Sequence, residues 1–137
     1  MNAKLGITFM SLALLLIAVP VWAHHAFSAE YDASKPLTLK GKVTRWELVN
    51  PHSWIHIDVV GPDGKVTPWM VEGGSPNSLL RNGFTKNSLP AGTEIVVEGY
   101  QAKDGANRAV GKDITYPDGK RLFLGGSAPG AGGGENP

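Results

Sequence analysis

The chain has 137 residues, 42% of them hydrophobic and 18% charged, with 13 basic against 12 acidic side chains and no cysteine. This length suits one domain. The charge balance excludes the surplus of Lys and Arg that nucleic-acid binding needs, and the lack of thiols excludes disulfides and thiolate metal ligands.

Residues 1–23 read as a secretory signal peptide. Lys4 supplies the N-terminal charge, Leu5 to Val19 is largely apolar, and Val21-Trp22-Ala23 offers a cleavage site after Ala23. The alternative is an uncleaved anchor, since the apolar run almost suffices to cross a bilayer. Cleavage removes Lys4 and leaves 12 basic against 12 acidic residues, a formally neutral periplasmic or secreted protein with no stable membrane span.

Residues 24–36 form an N-terminal arm that starts with His24 and His25. From Leu37 the pattern has period two: Leu37, Leu39, Gly41 and Val43 alternate with polar residues, which predicts a first, half-buried strand. The phase slips before Trp46 and Leu48, so a bulge or bend is expected near Thr44 or Arg45. Pro51 introduces a second strand, His52 to Val60, with Ile55, Ile57 and Val59 on its apolar side. GPDG at 61–64 turns the chain into a third strand near Lys65 to Glu72, where Pro68 marks an edge or an irregularity.

SPNSLLRNG, residues 75–83, predicts one short helix, with Ser75 as cap, Pro76 in the first turn, Leu79 and Leu80 apolar, and Gly83 closing the end. A fourth strand follows from Thr93 to Ala102 and a fifth from Ala109 to Tyr116, and YPDGKRLFL makes a final hairpin. Residues 125–137, GGSAPGAGGGENP, are too Gly-rich and too poor in apolar side chains to order, which predicts a flexible, disordered tail. A helix between the third and fourth strands fits a mainly β protein: a small OB-like antiparallel barrel of five to six strands over residues 37–124. An antiparallel sandwich would not place a helix there.

The chemistry centres on NPHSWIHID. On a strand, His52, Trp54, His56 and Asp58 share the face opposite the aliphatic residues and so point out of the barrel. Two histidines four apart on a straight strand are about 13 Å apart at the backbone, too far to chelate one ion alone. If cleavage follows Ala23, His24 becomes the first residue, and its amine and ring nitrogen can together grip a metal. His52 or His56 would then complete a three-nitrogen set resembling the histidine brace of copper proteins. The candidate ligands are therefore His24, His25, His52 and His56, and nitrogen donors without thiolate favour Cu or Zn. The plainer reading makes these histidines ordinary surface and His24 part of a frayed end.

A second reading rests on Trp46, Trp54, Trp69, Tyr31 and Tyr100. Barrels of this type bind chain-like ligands across one face on which rings stack, with Trp54 and Asp58 as the candidate contacts and an oligomeric ligand or an envelope protein as partner. Trp46 and Trp69 could equally fill a small core. No GxSxG or phosphate-cradling loop is present, and Ser75 has no base that the sequence identifies. The expectation is a binding module rather than an enzyme.

AHHAFSAEYD, LTLKGKVTRWELVNPHSWIHIDV, WMVEGGSPNSLLRNGF and the EGYQAKDG turn together resemble a family of short exported bacterial proteins of unknown function. The resemblance runs from about His24 to Leu124, and NPHSWIHID and EGGSPNSLLR are its most specific parts. It implies a small periplasmic or secreted domain and supplies no catalytic residues.

Overall fold

A computed structural model describes residues 26–132. A short helical segment over residues 26–30 (α1) leads into six strands: β1 (Tyr31–Glu47), β2 (Trp54–Val60), β3 (Val66–Glu72), β4 (Glu94–Ala102), β5 (Arg108–Thr115) and β6 (Arg121–Phe123). One helix, α2 (Pro76–Arg81), lies between β3 and β4. The strands hydrogen-bond in the order β3-β2-β1-β4-β5-β6, and β3 also pairs with β5, so the sheet closes into a ring. Every pairing is antiparallel except that closing seam, which is parallel and joins Met70 to Arg108, Val71 to Ala109 and Glu72 to Val110.

The 17-residue β1 serves both sides of the ring, pairing with β4 up to Lys42 and with β2 from Gly41 onward. Its register against β2 slips between Val43 and Arg45, where the phase change in the sequence predicts it. The slip rotates the strand's outlook and lets the sheet curl closed. Pro68 fits β3 for a related reason. It faces Asp58 of β2, and the seam with β5 starts only at Met70, so no ladder bond to β5 requires a Pro68 N–H.

Alternation fills the interior. Leu39, Val43, Ile55, Ile57, Val71, Ile95, Val97 and Ile114 point inward and meet Leu79 of α2 together with Phe84, Leu89 and Leu124. Ser75 caps α2 by accepting from Ser78 N at 3.3 Å, Pro76 opens it, and Gly83, at φ 92°, lets the chain leave in the left-handed region. Leu79 is fully buried, whereas Leu80 is exposed. The ring leaves no space at one crossing: a Cβ on Gly99 would collide with the carbonyl oxygen of Val110.

Two segments differ from the sequence expectation. The arm assigned to residues 24–36 gives way to strand at Tyr31, because Tyr31 pairs with Ala102 and Pro36 with Tyr100; the irregularity between them is held by Asp32, whose carboxylate accepts from Ser34 N and Oγ. The Gly-rich tail from Gly125 folds back as far as residue 132, with Ala128 and Ala131 buried and Gly125 N bonded to Ala131 O at 2.8 Å. Phe27, Tyr31, Ala102, Val110, Ala128 and Ala131 form a satellite cluster, against which Tyr100 packs. Alanine is small enough to close such a cluster, which a reading that looks for large apolar side chains overlooks.

Candidate functional site

Trp54, His56 and Asp58 lie on one side of β2, whereas His52, expected on the same strand, precedes it. Ile55 and Ile57 are buried while Trp54, His56 and Asp58 are half-buried and His52 is exposed. The ladder sets Trp54 between two carboxylate residues, Glu47 on β1 and Glu72 on β3, and sets His56 between Arg45 and Met70. Residues facing each other across neighbouring strands share a side of the sheet. The outward face therefore carries two acidic residues that the sequence reading did not single out.

Each histidine of this segment belongs to a different one of them. His52 lies just before β2, after the cis Asn50-Pro51 peptide. Its neighbour Ser53 is fastened to the end of β3 by Ser53 N to Gly74 O and Gly73 N to Ser53 O, each 2.9 Å. This brings His52 Nδ1 to 3.1 Å from Glu72 Oε1. Tyr31 donates its hydroxyl to the other oxygen, Glu72 Oε2. Glu72 is 7% exposed and Tyr31 2%, whereas 46% of the His52 side chain remains exposed. The result is a chain of three groups leading from the satellite cluster to solvent.

Burial, and then the hydrogen bond and the charge of Glu72, push the Tyr31 phenol far above its ordinary range, so it stays protonated. Its ring stacks on Phe27 at 6.2 Å between centroids and lies 5.8 Å from the Arg108 guanidinium, and Phe27 meets Tyr100 edge-on at 5.4 Å. Arg108 also approaches Glu30 at 4.0 Å, while its Nε is buried without a hydrogen-bond partner among the described residues.

His56 is committed elsewhere. Its Nε2 lies 2.8 Å from Glu47 Oε2 and 3.1 Å from Arg45 Nη2, and Arg45 reaches Glu47 at 3.2 Å. One nitrogen cannot donate to a carboxylate and accept from a guanidinium at once. Donation to Glu47 is the consistent assignment, and that bond is the main reason the Glu47 carboxyl sits below its ordinary range. His52 and His56 are thus drawn toward opposite neighbouring strands. No group of three or more His, Asp or Glu side chains able to hold a metal occurs among the described residues. His24, His25 and the cleavage site after Ala23 lie outside the described residues.

The aromatic reading narrows to one ring. Trp46 packs on Phe84 at 5.9 Å and donates to Thr85 O, Trp69 packs against the core, and Tyr31 and Tyr100 belong to the satellite cluster. Only Trp54 remains of the five on the outward face of β2. Asp58 instead lines an open groove with Lys40, Lys42, Val60, Val66 and Glu94.

A family model matches residues 13–111. The chain belongs to DUF6152, a family of unknown function. The DUF6152 match takes in His24, Tyr31, His52, Glu72 and Arg108 and ends within β5. No curated protein matches this DUF6152 chain. No helix among its described residues is long and apolar enough to cross a membrane.

Glu72 and Tyr31 escape a sequence reading because they meet across 41 positions. Glu72 does carry a faint signal, since it continues the outward phase of a strand whose inward residues are Val71 and Trp69.

Proposed function

We propose that the protein is exported, is processed after Ala23, and acts in the periplasm or outside the cell as a non-enzymatic module that binds one Cu or Zn ion. The amine and ring of His24 and the Nε2 atom of His52 are the ligands. One observation carries the reading: a carboxylate oxygen of Glu72 lies 3.1 Å from His52 Nδ1 while much of the His52 side chain faces solvent. Metal-binding histidines commonly give their second nitrogen to a carboxylate, which orients the ring and raises its basicity. His56 is the weaker candidate because its Nε2 is already engaged by Glu47.

The anchoring of the chain's beginning supports the same reading. Phe27 stacks on Tyr31, Tyr31 bonds Glu72, and Glu72 Oε1 lies 3.1 Å from His52 Nδ1. His24 lies three residues before Phe27, and such a segment spans at most about 10 Å. A binding role rather than a catalytic one is favoured by Ser75, whose hydroxyl is occupied in capping α2.

Titration of the processed protein with Cu(II) and with Zn(II) against a competing chelator tests the proposal. Binding of one ion per chain is expected, weakened at least about 100-fold by His52→Ala or by a residue added ahead of His24. Failure of both ions to bind at micromolar concentration would overturn it.

A further inference from the structure

We propose that His56, Met70 and Trp54 form a soft cation site on the outward face of β2 and β3, with Cu(I) as its ligand. The site is separate from His24 and His52 and does not rest on the reading given to them. The ladder sets His56 directly opposite Met70, and Trp54 opposite Glu72. Residues directly opposed on one side of a sheet have Cβ atoms about 5 Å apart, and a diagonal pair, here Trp54 and Met70, lies about 7–8 Å apart, within reach of long and aromatic side chains. Trp54 and Met70 belong to neither hydrophobic cluster, and Met70 is 39% exposed. Two large apolar side chains thus stand outside both cores, beside one histidine.

The donor atoms are free for this role. The His56 ring turns Nε2 to β1, where Glu47 Oε2 and Arg45 Nη2 hold it. Nδ1 lies on the other edge of the ring and has no hydrogen-bond partner among the described residues. The contact that withholds Nε2 from the His24 site therefore braces the ring for binding through Nδ1, since a carboxylate on the second nitrogen orients a metal-binding imidazole. Arg108, which faces Met70 across the seam, is drawn to the Tyr31 ring and to Glu30 rather than to the thioether. A thioether beside an imidazole suits Cu(I) better than Zn(II), and an indole face attracts a cation.

The test is anaerobic titration of the processed protein with Cu(I) against a chromophoric chelator, in a His52→Ala background that lacks the other site. If that background fails to fold, a residue added ahead of His24 serves instead. One Cu(I) per chain is expected, with quenching of indole fluorescence. Met70 is the only sulfur in the sequence after Ala23, so a sulfur neighbour in the X-ray absorption spectrum of the bound copper identifies it. Met70→Leu, a swap of similar volume at an exposed position, should remove that neighbour and weaken binding by at least about 10-fold, the least that loss of even an outer partner costs. Trp54→Phe should abolish the quenching, because Trp46 and Trp69 pack against the core. The inference is overturned by no Cu(I) binding at micromolar concentration in this background, by copper with only nitrogen and oxygen neighbours, by binding unmoved in Met70→Leu, or by quenching retained in Trp54→Phe. Each of these outcomes stands whether or not the wild type binds Cu(II) or Zn(II). Cu(I) held through sulfur by a protein that takes up neither of those ions upholds the inference and overturns the reading of His24 and His52.

Discussion

Replacing Tyr31 by Phe isolates a single hydrogen bond. The ring keeps its contacts with Phe27 and Arg108, and only the hydroxyl that donates to Glu72 is lost. A hydrogen bond to a charged group contributes about 1.5–3 kcal/mol, so the variant should be less stable at neutral pH by about 2 kcal/mol. Its pH dependence has a definite sign. The folded Tyr31 holds its proton more tightly than the ordinary phenol, so its stabilisation is complete below about pH 10 and falls as pH rises toward the folded value. The slope is about 1.4 kcal/mol per pH unit. Tyr31→Phe has no proton to lose there, and a gap of about 2 kcal/mol should close near pH 11.5. Tyr116, also raised by burial, is present in both proteins and cancels. Urea unfolding of the two proteins at steps from neutral to alkaline pH measures the gap. Two curves that stay parallel throughout would show that the Tyr31 hydroxyl is not bonded inside the fold.

Gly99→Ala would drive a methyl group into the backbone of Val110, which cannot rotate away; a loss of at least about 3 kcal/mol is expected, and an unchanged melting temperature would refute the register of β4 on β5. Truncation after Leu124 removes the buried Ala128 and Ala131. A cost of about 1–2 kcal/mol is expected, together with faster hydrogen exchange at the Lys103 N–H that bonds Glu30 O; an unaltered rate there would mean that the tail does not hold the arm. In His56→Gln the Glu47 carboxyl should titrate at higher pH than in the parent, because the bond from His56 is the leading cause that lowers it. The stabilisation in the parent is therefore present above the ordinary carboxylate range and lost as pH falls through the lowered value, which carboxyl-carbon NMR reads directly.

Local pattern carried much of the fold. Alternation at Leu37 to Val43 and at Ile55 to Val59 distinguishes inside from outside, the slip before Trp46 marks the bend, and Ser75 with Pro76 marks a helix start, because each depends on neighbouring residues only. The outward set Trp54, His56 and Asp58 was legible for the same reason, whereas His52 precedes the strand it was expected to open. What pairs with it was not: Glu72 joins His52 across 20 positions and Tyr31 joins Glu72 across 41, distances over which a single sequence has no periodicity to read. The parallel seam and the burial of Ala128 and Ala131 share that origin, since both depend on where the ring brings remote segments.

The satellite cluster brings Phe27, at the start of the described chain, together with Ala131 near its end. A contact between residues so far apart in sequence closes almost the whole chain as one loop, so its entropy can be recovered only after the intervening ring exists. The cluster should consequently be the last region to dock during folding and the first to open in the native state. Because Tyr31 belongs to it, each such opening would release Glu72 from above while the ring stays intact. The order around His52 would then be governed by a local equilibrium faster and shallower than global unfolding.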